Sequence, residues 1–221
     1  ARFVKIHQAY GLSPVTIEEE PGCAVDAKKF EEALKKNPGL KAVFIQHTDT
    51  STGIVNDLKT LTALVKKHGD ALVVVDAISG LAAEELEADL WGLDVVLSGS
   101  QKGLMAPPGL AFVSVSERAW KAAAEAKLPR FYFDWRDMRK SLPKKETPYT
   151  PAVSLVAAQA EALRLILDEG MEKVWKRTAE LAEYTRRRVA SLGWPLFAKD
   201  PADILTGIVL PSGMDGKKLI A

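Results

Sequence analysis

The sequence predicts an α/β domain built on a mostly parallel sheet with helices on both faces. Three observations carry that expectation. Short runs such as Ala42-Val43-Phe44-Ile45, Val73-Val74-Val75 and Asp94-Val95-Val96-Leu97 are largely apolar, as strands covered on both faces are. Amphipathic helical patterns alternate with these runs, in the order that βα units require. Polar stretches begin where three of the runs end, at residues 47–53, 76–80 and 98–102, and parallel sheets gather ligands beyond such ends.

The elements follow in order. Phe3, Ile6, His7 and Tyr10 recur at helical spacing before a stop at Gly11. Residues 14–17 read as a short strand. Asp26 precedes Lys28, Lys29 and Phe30-Glu31-Glu32-Ala33, the pattern of a capped amphipathic helix that ends near Asn37-Pro38-Gly39. Residues 40–46 read as a strand and residues 47–53 as a polar loop. Asn56 or Asp57 can cap the next helix, whose apolar positions are Leu58, Leu61, Leu64 and Val65 and which stops near Gly69. A strand over residues 71–75 ends on Asp76. After a Ser-Gly turn come an acidic segment, residues 84–89, and strands at 94–97 and 110–115. Residues 117–126 form an Ala-rich helix, and residues 130–139 are aromatic and mixed in charge. Residues 141–151 contain three prolines and read as extended.

A long helix over residues 153–168 is expected to line its apolar side with Val153, Val156, Ala160, Leu163 and Leu167, and to break at Gly170. The next helix, residues 171–192, offers Val174, Trp175, Ala179, Leu181, Ala182 and Val189 inward and stops at Gly193-Trp194-Pro195. Phe197 and residues 206–211 read as strands, and Asp215-Gly216 opens a last helix. The division expected is a large domain over residues 1–168, then a linking helix and the start of a smaller α+β domain over residues 169–221.

Hydrophobic residues make up 47% of the 221, enough for a substantial core. A net charge of +1 gives no polyanion signature, and Lys140, Lys144 and Lys145 read as a solvated loop, so no nucleic-acid partner is expected. Cys23 is the only cysteine, which excludes an intrachain disulfide framework and fits a reducing compartment. No apolar run approaches the ~18 residues of a membrane span, and no segment resembles a signal peptide. A soluble, cytoplasmic chain without a membrane partner is expected. His7, His47 and His68 make a poor metal set, and no metal is expected. The sequence opens on Ala1 inside a periodic pattern and closes on Lys217-Lys218-Leu219-Ile220-Ala221 as a helix begins, so it reads as part of a longer chain.

Lys102 stands out. It follows the strand 94–97 among Gly99, Ser100 and Gly103, and a rigid Pro107-Pro108-Gly109 turn comes soon after. Such a lysine can bind a phosphate as a point charge, form a surface ion pair, or form a Schiff base. The last role needs an acid for a ring nitrogen and donors for a phosphate. Asp76, at the tip of Val73-Val74-Val75, is the natural acid, since a carboxylate there is costly unless paired. It can equally cap the segment that follows. Thr50, Ser51 and Thr52 supply hydroxyls and Gly53 a tight turn, although such clusters often cap helices. His47 and Asp49 fit structural roles as well as chemical ones.

Taken together, His47-Thr48-Asp49-Thr50-Ser51-Thr52-Gly53, Val75-Asp76-Ala77-Ile78-Ser79 and Ser98-Gly99-Ser100-Gln101-Lys102 with Ala106-Pro107-Pro108-Gly109 resemble the class V pyridoxal-phosphate-dependent aminotransferases. The likeness is nearest to the serine–pyruvate / alanine–glyoxylate / serine–glyoxylate branch and runs over essentially the whole chain. It implies the aspartate-aminotransferase-like fold (fold type I) with pyridoxal 5'-phosphate as cofactor. It also implies transamination between alanine or serine and glyoxylate or pyruvate, in a homodimer with shared active sites. Lys102 becomes the Schiff-base lysine and proton shuttle, and Asp76 the partner of the pyridine nitrogen. Ile78 would pack on the ring, Gln101 donate to the phosphate, and Thr50 sit near the 3′-oxygen, where relatives often have serine. Asp49 stands where many relatives carry glutamate and receives no catalytic role.

Thr147-Pro148-Tyr149-Thr150-Pro151 resembles the stretch that reaches the neighbouring subunit's phosphate. Thr150 is the better match, since Thr147 stands where a relative places tyrosine. The family's Ser/Gly-rich phosphate loop, ring-stacking aromatic residue and substrate-carboxylate arginine find no match here and are expected outside residues 1–221. Two other readings remain: a lyase or desulfurase of the same fold, to which the distant Cys23 lends no support, and a non-catalytic subunit that keeps the scaffold.

Overall fold

Strands that are apolar on both sides need covers on both sides, and the structure supplies them. The computed structural model describes residues 2–219. In order, the elements are α1 (Arg2–Ala9), α2 (Ala27–Lys36), β1 (Ala42–Gln46), β2 (Thr48–Asp49), β3 (Ile54–Val55), α3 (Leu58–His68), β4 (Leu72–Asp76), α4 (Ala88–Trp91), β5 (Val95–Gly99), β6 (Ala111–Val115), α5 (Glu117–Glu125), α6 (Trp135–Ser141), a 3₁₀ turn (Leu142–Lys144), α7 (Val153–Glu169), α8 (Met171–Ser191) and α9 (Gly216–Leu219).

The main sheet has four strands in the order β1-β4-β5-β6. β1, β4 and β5 run parallel, and β6 returns antiparallel to β5. Gln46 pairs with Asp76 and Asp76 with Leu97, so the three parallel strands present their C-terminal ends along one rim. Side chains alternate along each strand. Val73, Val75 and Val96 face Phe30, Leu34, Leu58, Leu61 and Val65 from α2 and α3. Val74 and Val95 face the other way, onto Ala119 of α5 and Trp135 of α6. Each fully buried leucine in such a layer contributes about 1.5–3 kcal/mol of transfer free energy.

Local chemistry sets the helix ends. The Asp26 carboxylate accepts from the Lys29 amide and starts α2. Of the two candidates for α3, Asp57 is the cap, accepting from the Thr60 amide at 3.0 Å. Asn56 is buried instead, accepting from the Val25 amide and donating to the Gln46 carbonyl, which pins the entry to α2 beside the end of β1.

Several expectations are corrected. Residues 14–17 form no strand, because no neighbouring strand offers them a ladder among the described residues. The polar loop 47–53 is built on a small antiparallel hairpin, β2–β3. Residues 141–151 open with the 3₁₀ turn, and α6 precedes them, started by Asp134 accepting from the Arg136 amide.

α7 turns a different side inward. Gln159, Ala162 and Ile166 are buried, while Val153 and Leu167 are 69% and 68% exposed. Val156, Ala160 and Leu163 are exposed with them. The reason is the partner surface, a cluster of Ala82, Leu104 and Val174 that receives Ile166. On α8, Val174 and Ala182 are buried and Leu181 is exposed. Phe197 and residues 206–211 form no strands. A single pairing, Leu196 with Ile208, stands there. The last helix is seen as Gly216–Leu219, and the rest of its expected course, Ile220 and Ala221, lies outside the described residues, as does Ala1. No helix among the described residues is long and apolar enough to cross a membrane.

Candidate active site

The return from β5 to β6 makes the loop that carries Lys102. Ser100 closes its neck. The Ser100 hydroxyl donates to the Pro107 carbonyl at 2.6 Å and accepts from the Leu110 amide at 3.2 Å. The Ser100 amide donates to Leu110, and the Ala106 amide donates back to Ser100. Ser100 is fully buried, so each of these bonds replaces water the groups cannot reach. Lys102 stands on the exposed side and makes no ion pair among the described residues. Met105 holds a left-handed φ of +58°, unusual for a residue with a side chain. The Gln101 side chain folds back over Gly99.

The turn after β4 lies against this loop. A Cβ at Gly103 would overlap the Leu81 carbonyl oxygen, so the glycine allows the two backbones to touch. Leu104 and Ala82 are buried in the same cluster. Asp76 is the last residue of β4, and its Oδ1 accepts from the Ile78 amide at 3.0 Å. The local turn-forming role read as its alternative is therefore present, and uses that oxygen. Ile78 is half-buried and Ser79 is buried.

The β2–β3 hairpin completes the rim. The His47 amide donates to the Asp76 carbonyl, and the Thr50 and Ser79 hydroxyls lie 2.5 Å apart. Asp49 folds into its own turn, accepting from the Ser51 amide and from the hydroxyls of Ser51 and Thr52. Burial would raise its carboxyl, but these hydrogen bonds hold it below the ordinary carboxylate range. Burial pushes the His47 imidazole down to about 4, so the ring is neutral, with its Nδ1 unpartnered against Gly80. Residues 200–204 strap the hairpin from outside. The Val55 amide donates to Asp200 and the Ala202 amide to Gly53. The Glu84 carboxylate accepts from the amides of Asp203 and Ile204, and Arg186 pairs with Asp203 at 2.8 Å. Burial raises the Glu84 carboxyl above its ordinary range.

The structure thus assembles the loops of Lys102, Gln101, Asp76, Ile78 and Thr50 at one rim. It treats Thr147 and Thr150 differently. Thr147 donates to the Tyr149 carbonyl at 2.7 Å, Thr150 is exposed, and among the described residues no hydrogen bond joins either to the rim. Tyr149 stacks on Tyr132 with centroids 4.4 Å apart. Sequence reasoning gave no role to Ser79, Glu84 or Gln159. Gln159 donates to the Leu104 carbonyl at 3.1 Å, and its signal was a polar residue in register with Ala162 and Ile166. Among the described residues no group of three or more side chains could hold a metal ion.

The mostly parallel sheet, with a lysine loop and an acid-tipped strand at one rim, has the aspartate-aminotransferase-like fold, type I of the pyridoxal-phosphate proteins. Within it, the chain belongs to the class V aminotransferase family, whose model, described as "Aminotransferase class-V", matches residues 3–210. It is 43% identical to the soluble hydrogenase 42 kDa subunit of Anabaena cylindrica, over 99% of this chain and 58% of that protein. It is 39% identical to a serine–glyoxylate aminotransferase of Methylorubrum extorquens, over 99% of this chain and 57% of that protein. The crystal structure of pyridoxamine–pyruvate aminotransferase from Mesorhizobium loti superposes with a TM-score of 0.90 at 33% identity, covering 96% of this chain and 56% of that one. The chain therefore spans under two-thirds of the length of the relatives it matches.

Proposed function

We propose that the chain carries the lysine and the acid of a pyridoxal 5'-phosphate-dependent transamination site, acting between alanine or serine and glyoxylate or pyruvate. One observation carries the reading: the Lys102 loop and the Asp76 turn touch through Gly103 and Leu81, with Thr50 held to the same turn through Ser79. An amine, a carboxylate, a hydroxyl and an amide at one rim supply the nucleophile, the acceptor and the donors this cofactor needs. Among the described residues the Asp76 carboxylate accepts one hydrogen bond, at Oδ1, which leaves Oδ2 for a ring nitrogen.

Pyridoxal phosphate, when bound, supplies an aldehyde for covalent attachment and a ring that accepts electron density from the substrate carbon. Lys102 provides the attaching amine. With its Nζ free, Lys102 would take the α-proton of the amino donor and pass it to the cofactor carbon, and would carry a proton the opposite way when the oxo acid is converted. Asp76 would keep a proton on the ring nitrogen through a charge-assisted hydrogen bond. Ile78 would pack on the ring, Thr50 would lie by the 3′-oxygen, and Gln101 would donate to the phosphate. Thr150 and Thr147 would donate from a second copy of the chain. The exposed aromatic residues beside them, Phe131 and Phe133 at 80% each, and the outward apolar side of α7 support a homodimer. The single cysteine accords with a cytoplasmic setting. Gly170, with φ +89° between α7 and α8, supports a division into a large domain up to residue 168 and a smaller one from residue 169.

The test uses the whole protein. Its spectrum should show a lysine-bound cofactor, and borohydride reduction with peptide mapping should fix the adduct at Lys102. Lys102→Ala should lose the adduct and reduce turnover of alanine or serine with glyoxylate or pyruvate about a thousandfold or more. A reducible adduct that persists in Lys102→Ala sinks the assignment. The identity to the Anabaena hydrogenase subunit favours a second reading, a subunit without transaminase activity, and a protein that binds no cofactor at all would support it.

A further inference from the structure

We propose that Gln159 is a positioning residue for Lys102, acting through the backbone of the lysine loop. Gln159 sits in the inward stripe of α7, only 3% exposed, in register with Ala162 and Ile166. That stripe packs on an apolar cluster containing Leu104. An amide in such a place is unfavourable unless it makes a hydrogen bond. Its Nε2 makes one, to the Leu104 carbonyl at 3.1 Å, and its Oε1 makes none among the described residues. The helix gains nothing from this amide that a leucine would not supply. The gain lies in the loop.

Leu104 follows Lys102 by two residues. Inside the loop, Met105 donates to the Lys102 carbonyl and Ala106 to the Ser100 carbonyl. Among the described residues, the Gln159 bond is the one hydrogen bond that reaches residues 101–106 from another element. It also lands on a particular peptide plane. The Leu104 carbonyl belongs to the peptide that leads into Met105, whose φ of +58° is costly for a side-chain-bearing residue. A backbone held there needs its neighbours to impose it. By gripping the Leu104 carbonyl, Gln159 orients that peptide, keeps Met105 left-handed, and turns the preceding residues so that Lys102 leaves the loop on the rim side. The catalytic part of this inference rests on the proposed role of Lys102, and the ordering of the loop does not.

The experiment compares the whole wild-type protein with Gln159→Met, which keeps length and volume but loses the donor. Hydrogen exchange read by mass spectrometry on peptides spanning residues 101–110 should quicken about tenfold, while peptides of β4 and β5 stay unchanged. In the cofactor-loaded protein, kcat should fall roughly tenfold with the KM of the amino donor little altered, as expected when orientation rather than binding is lost. Unchanged exchange in the loop would overturn the proposal. So would faster exchange with an unchanged kcat, since the order imparted by Gln159 would then not reach Lys102. Should Gln159→Met fail to fold, Gln159→Asn, one methylene too short to reach Leu104, reads the same two quantities. Lys102→Ala measured in parallel separates the failures: a persistent adduct removes the lysine reading, whereas an unaltered loop in Gln159→Met removes this one alone.

Discussion

The loop that carries Lys102 and the segment that carries Thr147 and Thr150 differ in what holds them. The first is pinned from within. Ser100 closes its neck, Gly103 rests on the Leu81 carbonyl, and Gln159 grips Leu104 from α7. Around the second, among the described residues, the bonds are local, such as Thr147 to Tyr149 and Glu146 to Ser141, beside an aromatic stack of half-exposed rings. Buried hydrogen bonds fix a backbone in a single chain, because breaking them leaves groups with no water to turn to. Surface stacking permits several arrangements and needs a further surface to select one. The lysine loop is therefore held by buried bonds within the described residues, and the threonine segment by surface contacts alone.

The contrast can be broken at three points. The largest effect is expected from Gly103→Val, which forces side-chain atoms into the Leu81 carbonyl. It should cost about 2–4 kcal/mol in chemical denaturation, and a value near zero would mean that the two turns are not locked together. A smaller effect comes from His47, buried beside the Asp76 turn. Its pKa in the folded chain is pushed down to about 4 from the ordinary 6.5. The folded form thus resists protonation and the unfolded chain does not. The stability in question is complete above pH 6.5 and is lost as pH falls toward 4. Between pH 7.5 and pH 5 the loss should be about 2 kcal/mol. The Glu84 carboxyl, raised by burial, works in the opposite direction, so the loss is best read as the difference from a His47→Asn variant. Equal pH profiles in the two proteins would remove His47 from the account. The smallest effect belongs to the other region. Tyr132→Ala should change stability by less than about 1 kcal/mol, yet hasten proteolysis within residues 141–151, because it removes the ring on which Tyr149 rests.

The sheet was readable because its strands are buried on both faces and so carry continuous apolar runs, as Val73-Val74-Val75 does. Lys102, Asp76 and Thr50 were readable as candidates because each stands beside small or polar residues just past such a run. α7 was misread for a physical reason. Leucine, valine and alanine occupy most of its circumference, so apolar periodicity offers two stripes. What selects between them is the cluster around Leu104, contributed by distant parts of the chain. The same holds for Ser79 and Gln159, whose partners lie 29 and 55 residues away. Residues 14–17 have a strand's composition without a strand's partner, and composition alone cannot supply one.

The strap across the β2–β3 hairpin bears on how the chain is made. Glu84 meets Asp203 across 119 residues, and the hairpin itself waits for Asp200 and Ala202. Contacts of such long range form late, since the closure of a long loop comes before its reward. On the ribosome the sheet and the lysine loop can settle while the strap is still unmade. Thr50 then receives its final support only after residues 200–204 have emerged, so the rim is finished by a segment about 150 residues further along. A nascent chain halted before residue 200 should carry an ordered sheet beside an unanchored hairpin.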